Sequence, residues 1–165
     1  MNFKLAQIAT EQAKNNYHGA TDTAMGNLFP MEELFEVADD VSADALNADW
    51  SGAFAFLCAQ KAGLGLPVRY PDTRVHGSFA FVQAWEEYAR LPKIGIWRRN
   101  LETPEIGDLV VFEVKEGKPA QMGIILDIEG DMLEVAIGNY HNHSAIAEKS
   151  MREGIRGYIR LEDCK

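Results

Sequence analysis

The residue whose type and position best suit chemistry is Ser51, at the start of an apolar run that continues to Cys58. This run predicts a buried helix with Asp49 as its N-cap and Gly63 as its C-terminal stop. A helix N-terminus carries unsatisfied N–H groups and a partial positive charge, which stabilise an anion. A serine still needs a neighbouring base to become a nucleophile. The Gly-x-Ser-x-Gly pattern of a nucleophile elbow is absent around Ser51, so on local grounds it is predicted to be a capping or packing residue.

Histidine is the commonest partner for such a nucleophile, and the chain has four, all in predicted loops: His18, His76, His141 and His143. On a strand, His141 and His143 would face the same side because they are two residues apart. No further metal ligands stand out near them, and neither Cys58 nor Cys164 lies in a metal-ligand spacing. We therefore expect no metal and no cofactor, with Cys58 a small core residue.

The composition restricts the class of protein. The chain has 165 residues and a formal net charge of -9, which fits one globular domain and disfavours nucleic acid as a partner. It contains no apolar run of about 18 residues, so no transmembrane helix is expected and the membrane is not an expected partner. The first residues lack the pattern of a secretory signal, which predicts a cytoplasmic location by default.

The periodicity of apolar residues changes from helical to strand-like near Gly107. Helices are predicted over residues 2–15, 31–41, 49–63 and 78–90. An irregular segment is predicted over residues 93–104. Strands are predicted over residues 108–114, 121–128, 132–137, 145–149 and 156–161, with a polar loop over 138–143. Helices followed by short strands predict an α+β fold with a five- or six-stranded antiparallel, partly closed sheet.

Five separate pieces of the sequence, in this order, resemble the CHAP domain, a papain-like family of cysteine amidases and endopeptidases that cleave peptidoglycan and are close to the NlpC/P60 enzymes. The pieces are Trp50-Ser51-Gly-Ala-Phe54, Pro104-Glu-Ile-Gly-Asp-Leu-Val-Val-Phe112, Met122-Gly-Ile-Ile125, Gly138-Asn139 and Ile155-Arg-Gly-Tyr-Ile-Arg160. The resemblance covers residues 49–161. It implies a papain-like fold for a single domain of residues 1–165, with residues 1–48 as an N-terminal helical extension.

The same resemblance implies a cysteine nucleophile at the helix start, a histidine base on the strand after the Gly-Asp-Leu strand, and a polar third group on the next strand. This chain has Ser51, Gln121 and Asn139 at those positions, and Ile137 where the family has an acidic residue. A glutamine amide is not a base near neutral pH. The resemblance also places a binding cleft beside Ser51, for which we select Trp50, Tyr140, His141 and His143.

Three functions remain open from the sequence. The first is a catalytically degenerate CHAP-like domain that binds a peptidoglycan fragment, a peptide or a protein partner, or that regulates an active relative. The second is an active cell-wall hydrolase with Ser51 at the nucleophile position. Either Ser51 replaces an original cysteine and a histidine that the sequence does not place supplies the base, or Ser51 itself works with His141 or His143. The third is a cytoplasmic interaction module without a cell-wall role.

Overall fold

The computed structural model describes residues 1–19, 26–35, 49–67 and 71–161. These ranges contain four helices: α1 (Phe3–Ala13), α2 (Met31–Phe35), α3 (Ser51–Lys61) and α4 (Val82–Arg90). They contain eight strands: β1 (Tyr17–His18), β2 (Asn27–Leu28), β3 (Trp97–Arg99), β4 (Leu109–Phe112), β5 (Met122–Glu129), β6 (Met132–Tyr140), β7 (His143–Ser150) and β8 (Ile155–Ile159). The predicted α+β class is confirmed.

The strands form a single sheet in the order β2-β1-β7-β6-β5-β4-β8-β3. The pairs are antiparallel except for β1 and β2, which run parallel. The sheet is not closed, so the partial closure expected from the sequence is not observed among the described residues. The strand count exceeds the predicted five or six because β1, β2 and β3 have only two or three residues each, too few to give an alternating pattern. The papain-like topology stays a prediction.

Both faces of the central strands are buried, which explains why their sequences are continuous apolar runs. One face packs against α1 and α3 and includes Leu109, Met122 and Ile124. The opposite face forms a second core from strand residues such as Val110 and Ile125. Register shifts in β4–β8, β5–β6 and β6–β7 mark bulges, which increase the local twist and bend the strands.

Helix α3 is the central helix of the domain. Nine consecutive residues, Ser51 to Ala59, are buried, as expected for a helix that is apolar on every side. It contacts α1, α4, β5 and β6. Because α1 shares this core through Leu5 and Ala9, the N-terminal helix packs with the sheet. The domain boundary at residue 48 stays a prediction.

Several predicted boundaries are corrected by the structure. The helix predicted over 78–90 begins at Val82, because the Ser78 hydroxyl and carbonyl accept the N–H groups of Ala80 and Phe81 in a turn. The predicted irregular segment 93–104 contains β3, which pairs with β8. The predicted loop 138–143 is mostly strand, since β6 continues to Tyr140. The second half of the helix predicted over 31–41 lies outside the described residues.

Close packing of α3 on β6 depends on Gly138. A Cβ at this position would overlap the Phe54 Cβ and approach Trp50 Cε3 to 3.2 Å. We predict that Gly138→Ala lowers the free energy of unfolding by about 1–3 kcal/mol, because the added methyl group overpacks a rigid contact. Urea denaturation measures the change.

Gly65→Ala is the matched control for this substitution. A Cβ at Gly65 meets nothing within 4 Å, so its effect should stay within about 0.5 kcal/mol. Equal stability of the two variants would show that α3 and β6 are packed less closely than described.

Candidate functional site

Ser51 is the first residue of α3 and is 0% exposed. Its hydroxyl donates a hydrogen bond to Asp49 Oδ1 at 2.9 Å and accepts one from the backbone N–H of Met122 at 3.2 Å. The hydroxyl proton is thus directed at a carboxylate two residues earlier in the chain. Through Met122, Ser51 also connects the start of α3 to the start of β5. Its contacts are those of a buried structural serine.

The carboxylate of Asp49 lies between the first residues of two helices. Asp49 Oδ1 accepts the backbone N–H of Ser51 at 3.2 Å, and the carboxylate also accepts the N–H of Val82, the first residue of α4. The predicted N-cap is therefore wrong by one residue, since Trp50 occupies that position without a side-chain capping bond. Gly52 allows this convergence, because a Cβ there would come within 3.0 Å of the Val82 nitrogen.

Two opposing effects set the charge of Asp49. Burial raises the pKa of its carboxyl group to about 6, although the hydrogen bonds from Ser51 and Val82 favour the charged form. The anion-stabilising N-terminus of α3 is therefore occupied by a carboxylate of the chain itself. Asp49 was predicted only as a helix cap, and its contact with Val82 could not be read from the sequence.

The other two positions that the family resemblance selects, Gln121 and Asn139, lie in contact with each other. Gln121 Nε2 donates to the backbone carbonyl of Asn139 at 2.5 Å. Asn139 is 6% exposed, and its Oδ1 accepts the backbone N–H of Asn142 at 3.2 Å. The amide of Gln121 thus holds the end of β6 in place.

The predicted cleft residues lie around the turn between β6 and β7. His141 and Asn142 have φ values of 52° and 65°, as in a two-residue type I′ hairpin turn. Asn142 Oδ1 accepts the indole N–H of Trp50 at 3.3 Å and the N–H of Gly19 at 3.2 Å. The sequence analysis did not select Asn142 as a site residue. The polar pair His141-Asn142 between two strands is nevertheless typical of a turn.

These cleft residues differ in exposure. Trp50 is 0% exposed and packs on Phe29 with ring centroids 5.0 Å apart, so it is a core residue. Tyr140 is half-buried and makes an edge contact with the exposed His141 at 4.7 Å. His143 begins β7 and is the direct cross-strand partner of His18, which was predicted to lie in a loop.

The described ranges show no cluster of three or more His, Cys, Asp or Glu side chains arranged to hold a metal ion. Cys58 is buried, and burial raises the pKa of its thiol far above the usual range, so it is a poor nucleophile. None of the helices in the described part of the chain is long and apolar enough to cross a membrane. The chain matches no protein-family model and no curated protein.

The raised pKa of Asp49 predicts a specific pH dependence of stability. A carboxyl group whose pKa rises from 3.8 to about 6 on folding stabilises the fold fully below about pH 4, and this contribution is lost as the pH rises through 6. The expected loss is about 3 kcal/mol between pH 4 and pH 8. Asp49→Asn cannot titrate, so its stability relative to the natural chain should increase by that amount over this range in denaturant titrations.

Asp72→Asn is the control with the opposite sign. The side chains of Arg74 and Lys93 hold the pKa of the Asp72 carboxyl well below its usual range, so its ionised form favours the fold. Removing it should weaken the protein more at neutral pH than in acid. Parallel stability profiles for Asp49→Asn and the natural chain would contradict the assignment of Asp49.

Proposed function

We propose that this chain is a catalytically degenerate CHAP-like domain with a papain-like fold, which acts by binding a peptidoglycan fragment, a peptide or a protein partner. The observation that carries the proposal is the Ser51 hydroxyl, which is fully buried and bonded to Asp49 and Met122. A nucleophile must reach the carbonyl carbon of its substrate. A hydroxyl held inside the structure by two hydrogen bonds does not meet that requirement.

The groups around Ser51 support the same conclusion. The Ser51 N–H, which in a hydrolase could stabilise a developing oxyanion, already donates to Asp49. Gln121, at the position of the family's base, donates to Asn139 and cannot accept a proton near neutral pH. Nucleophile, oxyanion donor and base position are each engaged in bonds that stabilise the fold.

One observation favours the alternative of an active hydrolase. Asp49 accepts a hydrogen bond from the Ser51 hydroxyl. Its carboxyl pKa of about 6 is closer to neutral pH than that of an exposed aspartate, as suits a general base. In this reading Asp49 would replace the family's histidine. The burial of Ser51 argues against it, because a hydroxyl with no exposed surface does not contact a substrate.

Digestion of purified peptidoglycan separates the two functions. We expect no release of new amino groups by the natural chain above that of heat-denatured protein, because Ser51 does not reach the substrate. An active cell-wall amidase is the positive control. Release by the natural chain that Ser51→Ala and Asp49→Asn both abolish would overturn the proposal and establish the hydrolase.

A further inference from the structure

Two histidines lie directly opposite each other near one edge of the sheet. His18 of β1 and His143 of β7 are register partners in an antiparallel pair, so their side chains project from the same face. Both residues are half-buried. The sequence separation of the two strands, which are far apart along the chain, hid this pairing from any local pattern.

The hydrogen bonds beside this pair show which type of pair it is. The N–H of Tyr17 donates to Ser144 Oγ at 2.9 Å. The N–H of Gly19 donates to Asn142 Oδ1 at 3.2 Å. Residues on either side of the histidine in β1 therefore direct their N–H groups at β7, whereas the histidine between them directs its backbone away. Such a non-hydrogen-bonded pair has the closest side chains, with Cβ atoms about 4.5–5.5 Å apart.

A backbone carbonyl orients the ring of His18. Its Nδ1 lies 2.9 Å from the carbonyl oxygen of Gly19. Because a carbonyl oxygen only accepts hydrogen bonds, Nδ1 carries a proton, and the lone pair of the neutral ring lies on Nε2. Histidines that bind metals usually have this arrangement, in which one ring nitrogen donates to a carbonyl or carboxylate and the other binds the ion.

We propose that His18 and His143 bind one divalent transition-metal ion of the Zn²⁺, Ni²⁺ or Cu²⁺ type, which joins β1 to β7. Imidazole suits these ions and binds Zn²⁺ at about 2.0–2.1 Å, so two rings on neighbouring Cβ atoms can reach one ion. The described ranges hold no cluster of three His, Cys, Asp or Glu ligands, so water completes the coordination. The net charge of -9 favours cations over anions as ligands.

The ion adds a link where the pairing of strands is short. Strand β1 has two residues, and in the described part of the chain it joins β7 through the single register pair His18 and His143. Asn142, the neighbour of His143, accepts the indole N–H of Trp50 at 3.3 Å. A metal at this pair therefore fixes β1 beside the start of α3. This site is independent of the proposed binding function.

The test titrates ZnCl₂ into the full, untagged chain labelled with ¹⁵N. We expect saturable binding of one Zn²⁺ with chemical-shift changes at the amides of Gly19, Asn142 and His143. The Tm should rise with the Zn²⁺ concentration, because an ion that binds the folded chain stabilises it. MgCl₂ should cause neither change, since Mg²⁺ prefers oxygen ligands. These measurements use the natural chain, so they do not depend on the folding of a variant.

His18→Gln and His143→Gln should each weaken Zn²⁺ binding at least about tenfold, since even the loss of a supporting contact costs a metal site about 10–100-fold in affinity. His76→Gln is the matched control, because the His76 ring already lies 3.2 Å from Glu87 Oε1. It should bind Zn²⁺ as the natural chain does. No binding up to about 1 mM Zn²⁺, shift changes centred on His76, or equal affinities of the three variants would overturn the proposal.

Discussion

The arrangement of the candidate site depends on one buried carboxylate. Asp49 accepts hydrogen bonds from the first residues of α3 and α4 and from the Ser51 hydroxyl, which in turn accepts the N–H of Met122. Each helix start has N–H groups without an intrahelical partner, and burial makes such groups expensive to leave unsatisfied. A single side chain therefore joins two helices and, through Ser51, the first residue of β5.

This bonding pattern bears on the proposed catalytically degenerate CHAP-like function. In a cysteine hydrolase, the helix N-terminus stabilises an anionic nucleophile or a developing oxyanion. Here the chain supplies its own anion to that position. Gln121 likewise bonds to the carbonyl of Asn139, which holds the end of β6. Ser51 and Gln121, which the resemblance to the CHAP domain assigns to catalytic positions, therefore both make hydrogen bonds that hold the fold together.

The sequence predicted the elements whose apolar residues recur with a helical or a strand-like period. Helix α3 and the strands β4 to β8 were located because their periodicity and length are distinctive. The strands β1, β2 and β3 were missed because their stability comes from pairing with strands distant in sequence, as in the contact of His18 with His143. The role of Asp49 was also inaccessible, because it depends on Val82 and on a contact between Ser51 and Met122 that spans 71 residues. Local patterns carry no information about such pairs.

The central claim is that the Ser51 hydroxyl is inaccessible and does not act as a nucleophile. Labelling with a fluorophosphonate, which phosphonylates activated serines, followed by mass spectrometry of the peptide that contains Ser51, tests it most directly. The account predicts no modification of Ser51 in the natural chain at neutral pH. Stoichiometric modification of Ser51 that is lost in Asp49→Asn would contradict it and identify an active nucleophile.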